Sequence, residues 1–290
     1  MIHFFAAYPD TIKHFIDAWA PELGGQIRPV AYRKAWFQRS RPPGVCIFSD
    51  VELLSAGQLF FARLFSRRLQ GDHEIFNHPD RCLNRFALLQ ALHDRGINRF
   101  SARRPGRLPR DLKFPVFLRR ETDHRGSMSQ LLYSPGELEH AVAKLSFRSR
   151  WFLWRRLMVV EYVGCAGADG LFRKYSVMNV GGTLIPRHIL FSPNWVTKRA
   201  DFVSAATVEE ELGFLENFPH REPVTEIFRL AGVEYGRMDY GLNNGRVQVW
   251  EINTNPTVVP IPGKIDKRRL PAQTRSAALI AQALAALGQR

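Results

Sequence analysis

The chain has 290 residues, of which 45% are apolar and 12% aromatic, enough to bury a sizeable core and to build one to three subdomains. Because it contains no run of about 18 apolar residues and starts without a basic segment followed by a long apolar one, we expect neither a membrane span nor a signal peptide. A cytoplasmic protein is therefore expected, with no membrane partner and with its three scattered cysteines as reduced thiols.

The N-terminal part is predicted to form a small α/β lobe over residues 1–78. Apolar runs predict strands at residues 2–6, near Val30 and at 45–48, and amphipathic patterns predict helices at 11–19 and about 55–69. The segment Asn77-His78-Pro79-Asp80 then breaks the chain and supplies the N-cap of a helix over residues 81–95, which Gly96 ends.

Positive charge is concentrated between residues 95 and 125, where ten Lys or Arg residues accompany three Asp or Glu. Such a density can serve nucleic acid, an anionic membrane surface or a polyanionic small ligand such as a nucleotide, although most exposed arginines are simply solvated. The stretch shows no stacking platform of interleaved aromatic residues and no known nucleic-acid-binding motif, and its Pro105, Gly106 and Pro109 predict a loop. We therefore expect no nucleic-acid partner.

The middle of the chain predicts a series of strands. Residues 157–163 form an apolar run that contains a single acid, Glu161, and are predicted to form a buried strand. A carboxylate within such a run usually has a partner or a function. Further strands are predicted at 172–180 and 183–191, and a helix over residues 225–231 is expected to end at the following glycine.

Acidic and amide side chains lie near the ends of two further strands toward the C-terminus. Asp239 follows Gly236-Arg237-Met238, whereas Glu251 and Asn253 alternate along Val249-Trp250-Glu251-Ile252-Asn253. Carboxylate and amide oxygens are the ligands that Mg²⁺ prefers, and it takes few of them because phosphates and water complete its octahedron. This pattern predicts a Mg²⁺ site, although a surface hairpin with solvated acids has the same spacing.

The turn between these strands decides whether the acidic side chains share a face. A two-residue loop would turn Asp239 away from Glu251, because a shift of one residue exchanges the two faces of a strand. We therefore predict a three-residue loop over residues 243–245 that ends in a left-handed glycine. This loop would pair Arg237 with Glu251 and Asp239 with Val249, and would place the candidate ligands on one surface.

The order of these segments resembles the ATP-grasp superfamily over residues 78–260. The resemblance is carried by Trp250-Glu251-Ile252-Asn253-Thr254-Asn255-Pro256 after Gly236-Arg237-Met238-Asp239, and upstream by Phe114-Pro115-Val116-Phe117-Leu118-Arg119 and Val159-Val160-Glu161-Tyr162-Val163. It implies an α/β protein with α+β subdomains, in which the N-terminal α/β lobe precedes an ATP-grasp domain over residues 79–290. The second subdomain of that domain would begin at residue 164 and carry the metal site.

The resemblance also implies roles for individual residues. Its ATP-binding positions fall on Glu161, Tyr162 and Val163 for adenine, on Asp169 for the ribose and on Lys174 for the phosphates. Arg85 and Arg119 stand where the family has two phosphate-binding lysines, and an arginine would contact phosphate differently because its guanidinium is a planar fork. Residues 124–129 occupy the place of a flexible loop over the phosphates.

The reaction that the resemblance implies is ATP-dependent ligation of a carboxylate and an amine. Asp239, Glu251 and Asn253 would hold two Mg²⁺ ions, or Mn²⁺ in their place, which neutralise the triphosphate while the carboxylate attacks it. Arg237 is the candidate for stabilising the oxyanion when an amine or another nucleophile displaces phosphate, and His188 is a second catalytic candidate. Two alternatives stay open, a kinase acting on a small anionic acceptor and a nucleotide-binding regulator with little turnover.

Overall fold

The computed structural model describes residues 1–35, 42–122, 126–145 and 156–290. Three β-sheets and the helices packed on them account for most of these residues. No helix in the described ranges is both long and apolar enough to span a bilayer.

The first sheet is parallel and occupies the N-terminal lobe. Its strands are β1 (Ile2–Ala6), β2 (Ile27–Ala31), β3 (Gly44–Phe48) and β4 (His73–Phe76), in the order β2-β1-β3-β4. Helices α1 (Asp10–Trp19), α2 (Tyr32–Ala35) and α3 (Ala56–Leu69) accompany it. Every residue of β1 is buried, as expected for a parallel strand covered on both faces. The predicted lobe ends just after β4, but its separateness as a domain stays a prediction.

The second and third sheets are antiparallel. The second has the order β5-β7-β6, with strands β5 (Ala102–Arg103), β6 (Val116–Arg120) and β7 (Leu157–Glu161). The third has the order β11-β10-β8-β9, with strands β8 (Phe172–Val180), β9 (Thr183–Ser192), β10 (Tyr235–Asn243) and β11 (Arg246–Asn253). The remaining helices are α4 (Arg85–Asp94), α5 (Pro135–Ala143), α6 (Ala205–Asn217), α7 (Arg221–Ala231) and α8 (Leu270–Gly288).

Helix α4 joins the second and third sheets, and it starts later than the sequence predicts. Leu88 and Leu92 pack in the core of the third sheet, whereas Leu89 packs against the second. The predicted start at residue 81 is wrong because the Leu83 N–H donates to the Ala231 carbonyl at the end of α7, 2.9 Å away. The helix cap is instead the side chain of Asn84, which accepts from the Ala87 N–H.

Asn77 fixes the end of the first sheet against the third. It has a left-handed conformation (φ 53°) and its side chain is fully buried. Its amide oxygen accepts from the N–H groups of Glu234 and Tyr235, and its amide nitrogen donates to the Tyr235 carbonyl at 2.6 Å. The segment that the sequence predicts as a chain break is therefore also a hydrogen-bonded joint between the two sheets.

The hairpin of β10 and β11 turns differently from the prediction. Asn243 pairs with Arg246, so the loop has two residues, Asn244 and Gly245, both with positive φ (49° and 74°). This is the pattern of a tight hairpin turn, for which Asn-Gly is the favoured pair. The predicted three-residue loop is wrong.

A β-bulge, rather than the turn, contains the extra residue that shifts the pairing of the two strands. The register shifts between Asp239 and Tyr240, so Trp250 is the extra residue on β11. Asp239 consequently lies opposite Glu251, and Arg237 lies opposite Asn253. The pairs differ from those predicted, but alternation along the strands still places the four side chains on one face.

Helix α8 covers the junction of the lobe and the third sheet, so its buried side is expected to stabilise both. Leu284→Ala should lower the free energy of unfolding by about 2–5 kcal/mol, because Leu284 is 1% exposed in the core cluster that combines both sheets. Leu279 on the same helix is 37% exposed, and Leu279→Ala should change stability by less than about 1 kcal/mol. Urea denaturation measures both, and equal losses would contradict this packing.

Candidate functional site

A cleft lies between the second and third sheets, with about 840 Å³ of empty space that is partly open to solvent. Its lining falls into an apolar group and a charged group. The apolar group is Phe100, Phe117, Val160, Tyr162, Val163, Cys165, Phe172, Trp195, Val196 and Trp250. The charged group is Arg119, Glu161, Lys174, Lys198, Asp239 and Glu251. The described residues therefore offer a ligand both an apolar surface and a charged one, with three basic and three acidic side chains.

Four polar side chains form a row across the third sheet, here named the carboxylate row. His188 pairs with Ser176, Ser176 with Asp239, and Asp239 with Glu251, each on the next strand of the sheet. The pairing of neighbouring strands thus sets their relative positions. The row ends at the cleft, which Asp239 and Glu251 line.

Asp239 is 2% exposed and is surrounded by hydrogen-bond donors. Its Oδ1 accepts from the Ser176 hydroxyl at 2.7 Å and from the Arg237 Nε at 3.0 Å, and its Oδ2 accepts from the Lys174 Nζ at 3.2 Å. Burial by itself would raise the pKa of this carboxyl, but Arg237 and Lys174 hold the pKa below its usual range. Asp239 is therefore an anion at neutral pH.

Glu251 is held by two arginines. Its Oε2 accepts from the Arg119 guanidinium at 2.5 Å and also from that of Arg85, whose side chain is 4% exposed. Burial, followed by the nearby charge of Arg85, lowers the pKa of Arg119 to about 10, which still leaves it charged at neutral pH. Both predicted replacements for lysine thus converge on one predicted metal ligand.

The oxygens at the hairpin suit a hard divalent cation. Asp239 and Glu251 supply carboxylates on adjacent strands, and Asn253 supplies an amide oxygen on the same face, which presently accepts from the Asn255 N–H at 2.8 Å. No group of three or more His, Cys, Asp or Glu in the described ranges could hold a metal. A cation here would therefore need oxygens from a ligand or water, and the basic side chains would have to release the carboxylates.

Glu161 uses its carboxylate to fix the loops at the apolar end of the cleft. Its side-chain oxygens accept from the N–H groups of Ser101 and Lys113, at 2.8 and 2.9 Å. The strand ends at Glu161, two residues earlier than predicted, and the Tyr162 N–H donates to the Pro115 carbonyl at 2.9 Å. The Glu161 side chain is therefore already hydrogen-bonded to other loops, and the contact of its backbone with adenine stays a prediction.

The segment after β9 reaches across the cleft. The ring of Trp195 contacts those of Phe117 and Tyr162, with centroids 5.0 and 5.7 Å apart. Lys198 lies against Gly126, where a Cβ atom would come within 2.5 Å of its side chain. Of the predicted phosphate loop, Gly126 and Ser127 line the cleft, whereas residues 124 and 125 lie outside the described residues. The basic lining of the cleft therefore includes Lys198.

Five candidate residues are not among those that line the cleft. Three of them adjoin the two carboxylates, namely Arg85, Arg237 and Asn253, whereas Asp169 and His188 do not reach the cleft. Asp169 is in a turn, where both its carboxylate oxygens accept from Arg173, so its predicted ribose contact stays a prediction. His188 is 7% exposed and bonds to Ser176 behind Asp239. Burial, together with the nearby Arg187 and Arg237, holds the pKa of His188 well below its usual range. The neutral ring does not reach the cleft, which argues against a direct catalytic role.

A second acidic pair, missed by sequence reasoning, lies where β3 ends beside the segment after β11. The Oδ2 of Asp50 accepts from the N–H groups of Ala7 and Tyr8 and from the Asn255 side chain. Glu52 accepts from the Thr254 hydroxyl through one oxygen, while its other oxygen is buried without a hydrogen-bond partner. Burial, reinforced by the neighbouring Asp50, raises the pKa of Glu52 to about 7. Neither acid lies in a recognisable motif.

Comparison with solved structures finds likeness along nearly the whole chain. A D-alanine–D-alanine ligase from Bacillus anthracis, complexed with ATP, is 13% identical over 97% of both chains, with a TM-score of 0.50. An L-amino acid ligase from Bacillus licheniformis is 12% identical over 95% of this chain and 73% of that one, with a TM-score of 0.51. A RimK domain protein ATP-grasp from Sphaerobacter thermophilus DSM 20745 is 13% identical over 98% and 99%, with a TM-score of 0.51.

These likenesses concern the fold, because the identities are low. No protein-family model matches the sequence, and no curated protein is significantly similar to it. The mixed sheets and helices and the three structural neighbours together confirm the predicted α/β ATP-grasp fold.

The raised pKa of Glu52 makes a prediction for the pH dependence of stability. An acid whose pKa is about 7 in the folded protein and near 4.5 when unfolded destabilises the fold as the pH rises through that interval. Glu52→Gln should therefore increase the free energy of unfolding more at pH 8 than at pH 5, by about 1–3 kcal/mol.

Urea denaturation at both pH values measures this difference. The exposed Glu209 serves as the control, and Glu209→Gln should follow the wild-type pH dependence. A Glu52→Gln curve parallel to that of the wild type would show that the carboxyl is solvated.

Proposed function

We propose that the protein is an ATP- and Mg²⁺-dependent ligase that joins a carboxylate to an amine or another nucleophile through an acyl phosphate. One observation carries the proposal: the paired carboxylates of Asp239 and Glu251 lie in a cleft that combines an apolar wall with clustered basic side chains. The ATP-grasp fold, shared with two amino-acid ligases, is consistent with this chemistry.

The two parts of the cleft match the two parts of ATP. The apolar side chains around Trp195 and Tyr162 offer a surface for adenine. Because the Tyr162 N–H is occupied by Pro115, we assign the hydrogen bond to the base to the backbone of Val163. A ribose contact by Asp169 would require its ion pair with Arg173 to open.

The charges of the site suit a metal–triphosphate complex. Two carboxylates here face four basic side chains, namely Arg85, Arg119, Lys174 and Arg237. On nucleotide binding, the phosphate oxygens would attract these cations and release the carboxylates for Mg²⁺. Asp239, Glu251 and Asn253 would hold the metal, two ions in our proposal, which neutralises charge on the phosphates.

The chain supplies electrostatic stabilisation rather than a covalent nucleophile. The substrate carboxylate attacks the γ-phosphorus, ADP leaves, and an amine then attacks the acyl phosphate and expels inorganic phosphate. Arg237 donates to Asp239 and to the Thr257 carbonyl, so its guanidinium is fixed beside the carboxylates. We assign it to the oxyanion that forms in the second step, because fixed donors at such a position lower the barrier.

Product analysis tests the reaction class. With Mg²⁺ and ATP, pools of amino acids and dicarboxylic acids should stimulate release of inorganic phosphate, and hydroxylamine added in place of the amine should yield a hydroxamate. A stable phosphorylated acceptor in ³¹P spectra, without free phosphate, would instead identify a kinase. Tight ATP binding with no stimulation by any pool would favour the regulatory alternative and contradict the ligase.

The assigned ligands can be tested separately from the reaction. Asp239→Asn and Glu251→Gln should each weaken binding of Mg²⁺ with a non-hydrolysable ATP analogue by about tenfold or more, since a lost charged ligand removes at least about 1.4 kcal/mol. Glu209→Gln is the control, because Glu209 is exposed on α6 and is not among the residues that line the cleft, and it should change affinity by less than about threefold.

Isothermal titration calorimetry measures these affinities, and circular dichroism shows whether each variant folds. Wild-type affinity in folded Asp239→Asn and Glu251→Gln proteins would remove the metal assignment while leaving the adenine assignment intact.

A further inference from the structure

Ser176 and His188 form a buried hydrogen-bonded chain that leads to Asp239. The Ser176 hydroxyl lies 2.7 Å from the Asp239 Oδ1, and the His188 Nε2 lies 2.9 Å from the same hydroxyl. Ser176 is 0% exposed, and neither Ser176 nor His188 lines the cleft. The route from these two residues to the cleft therefore runs through Asp239.

The donor and acceptor of each hydrogen bond in this series follow from the protons that each group carries. An ionised carboxylate only accepts, so the hydroxyl proton of Ser176 must point to Asp239. A hydroxyl has one proton, so its oxygen must accept from His188, whose Nε2 must then carry hydrogen. The hydrogen bonds therefore run in one direction, from His188 to Ser176 to Asp239, and each bond polarises the next.

The backbone holds the chain in place. His188, Ser176 and Asp239 are paired in register on β9, β8 and β10, so no loop separates the members. A bulge next to Ser176 makes Arg187 the extra residue of β9. The hydrogen-bonded chain is therefore set by the pairing of the strands.

We infer that Ser176 and His188 are positioning residues for the proposed metal site. They hold the Oδ1 atom of Asp239 in place. The Oδ2 atom, which contacts Lys174 of the cleft lining, is then oriented toward the cleft and toward a divalent cation there. The inference rests on the proposed function, because it takes Asp239 as a metal ligand. Partners that orient a ligating carboxylate typically change metal affinity by 10- to 100-fold when removed.

A matched pair of variants at His188 tests the chain. His188→Gln keeps an N–H donor for Ser176, whereas His188→Leu has a similar size but no donor. Mn²⁺ binding in the presence of a non-hydrolysable ATP analogue, followed by electron paramagnetic resonance, should be about 10- to 100-fold weaker in His188→Leu and within about threefold of wild type in His188→Gln. Ser176→Ala should resemble His188→Leu.

A second measurement needs neither metal nor nucleotide. In ¹H–¹⁵N spectra of the ligand-free protein, His188 should show the tautomer protonated at Nε2, assigned by its absence from His188→Gln. Removing the acceptor in Ser176→Ala should shift this Nε2–H signal. A His188 ring protonated at Nδ1 alone would overturn the chain as described, even if both variants fold.

The outcomes separate this inference from the proposed function. Equal Mn²⁺ affinity in wild type, His188→Leu and Ser176→Ala would overturn the positioning role and leave the metal site standing. Equal losses in His188→Leu and His188→Gln would also overturn it, because packing rather than hydrogen bonding would then matter. A wild-type protein that binds the nucleotide analogue but no Mn²⁺ would remove the metal site and this inference together.

Discussion

The mutual compensation of two carboxylates and four basic side chains is the constraint on which the site depends. Asp239 is almost fully buried, and a buried charge is costly unless it is paired and hydrogen-bonded. The compensating cations come from separate parts of the chain: Arg85 in α4, Arg119 in β6, Lys174 in β8 and Arg237 in β10. The charge cluster therefore ties α4 and the two antiparallel sheets together across the cleft.

The same cluster links structure to the proposed chemistry. The carboxylates of Asp239 and Glu251 are paired with cations of the chain itself. A metal–triphosphate complex would offer a cation to each carboxylate and anionic phosphate oxygens to each arginine or lysine. Binding can therefore proceed as an exchange of ion pairs, in which arginine and lysine move to phosphate and metal moves to carboxylate. Such an exchange couples nucleotide and metal binding, because either one alone would leave like charges facing each other.

Two bulges align the carboxylate row. One inserts Arg187 into β9 beside Ser176, and the other inserts Trp250 into β11 beside Asp239. Each extra side chain has a distinct use, since Arg187 bonds to the Val258 carbonyl and to Gln273 of α8, whereas Trp250 lines the cleft. Bulges commonly re-aim side chains near functional sites, and here they bring residues of four strands into one line.

The sequence by itself determined most of the strands, the ATP-grasp resemblance and the hairpin that carries Asp239, Glu251 and Asn253, because periodicity and turn chemistry are local properties. It did not predict β4, β5, α5 or α8. Only the tertiary structure decided how Asp239 and Glu251 come to lie on one face of the hairpin. The extra residue that allows this is Trp250, in a bulge of β11, and its position depends on packing against α4 and the second sheet. The tertiary structure also decided that Arg85 and Arg119 meet Glu251, and that Ser176 supports Asp239. Those contacts join residues far apart in the chain, and no local pattern encodes which distant charge will share a buried site.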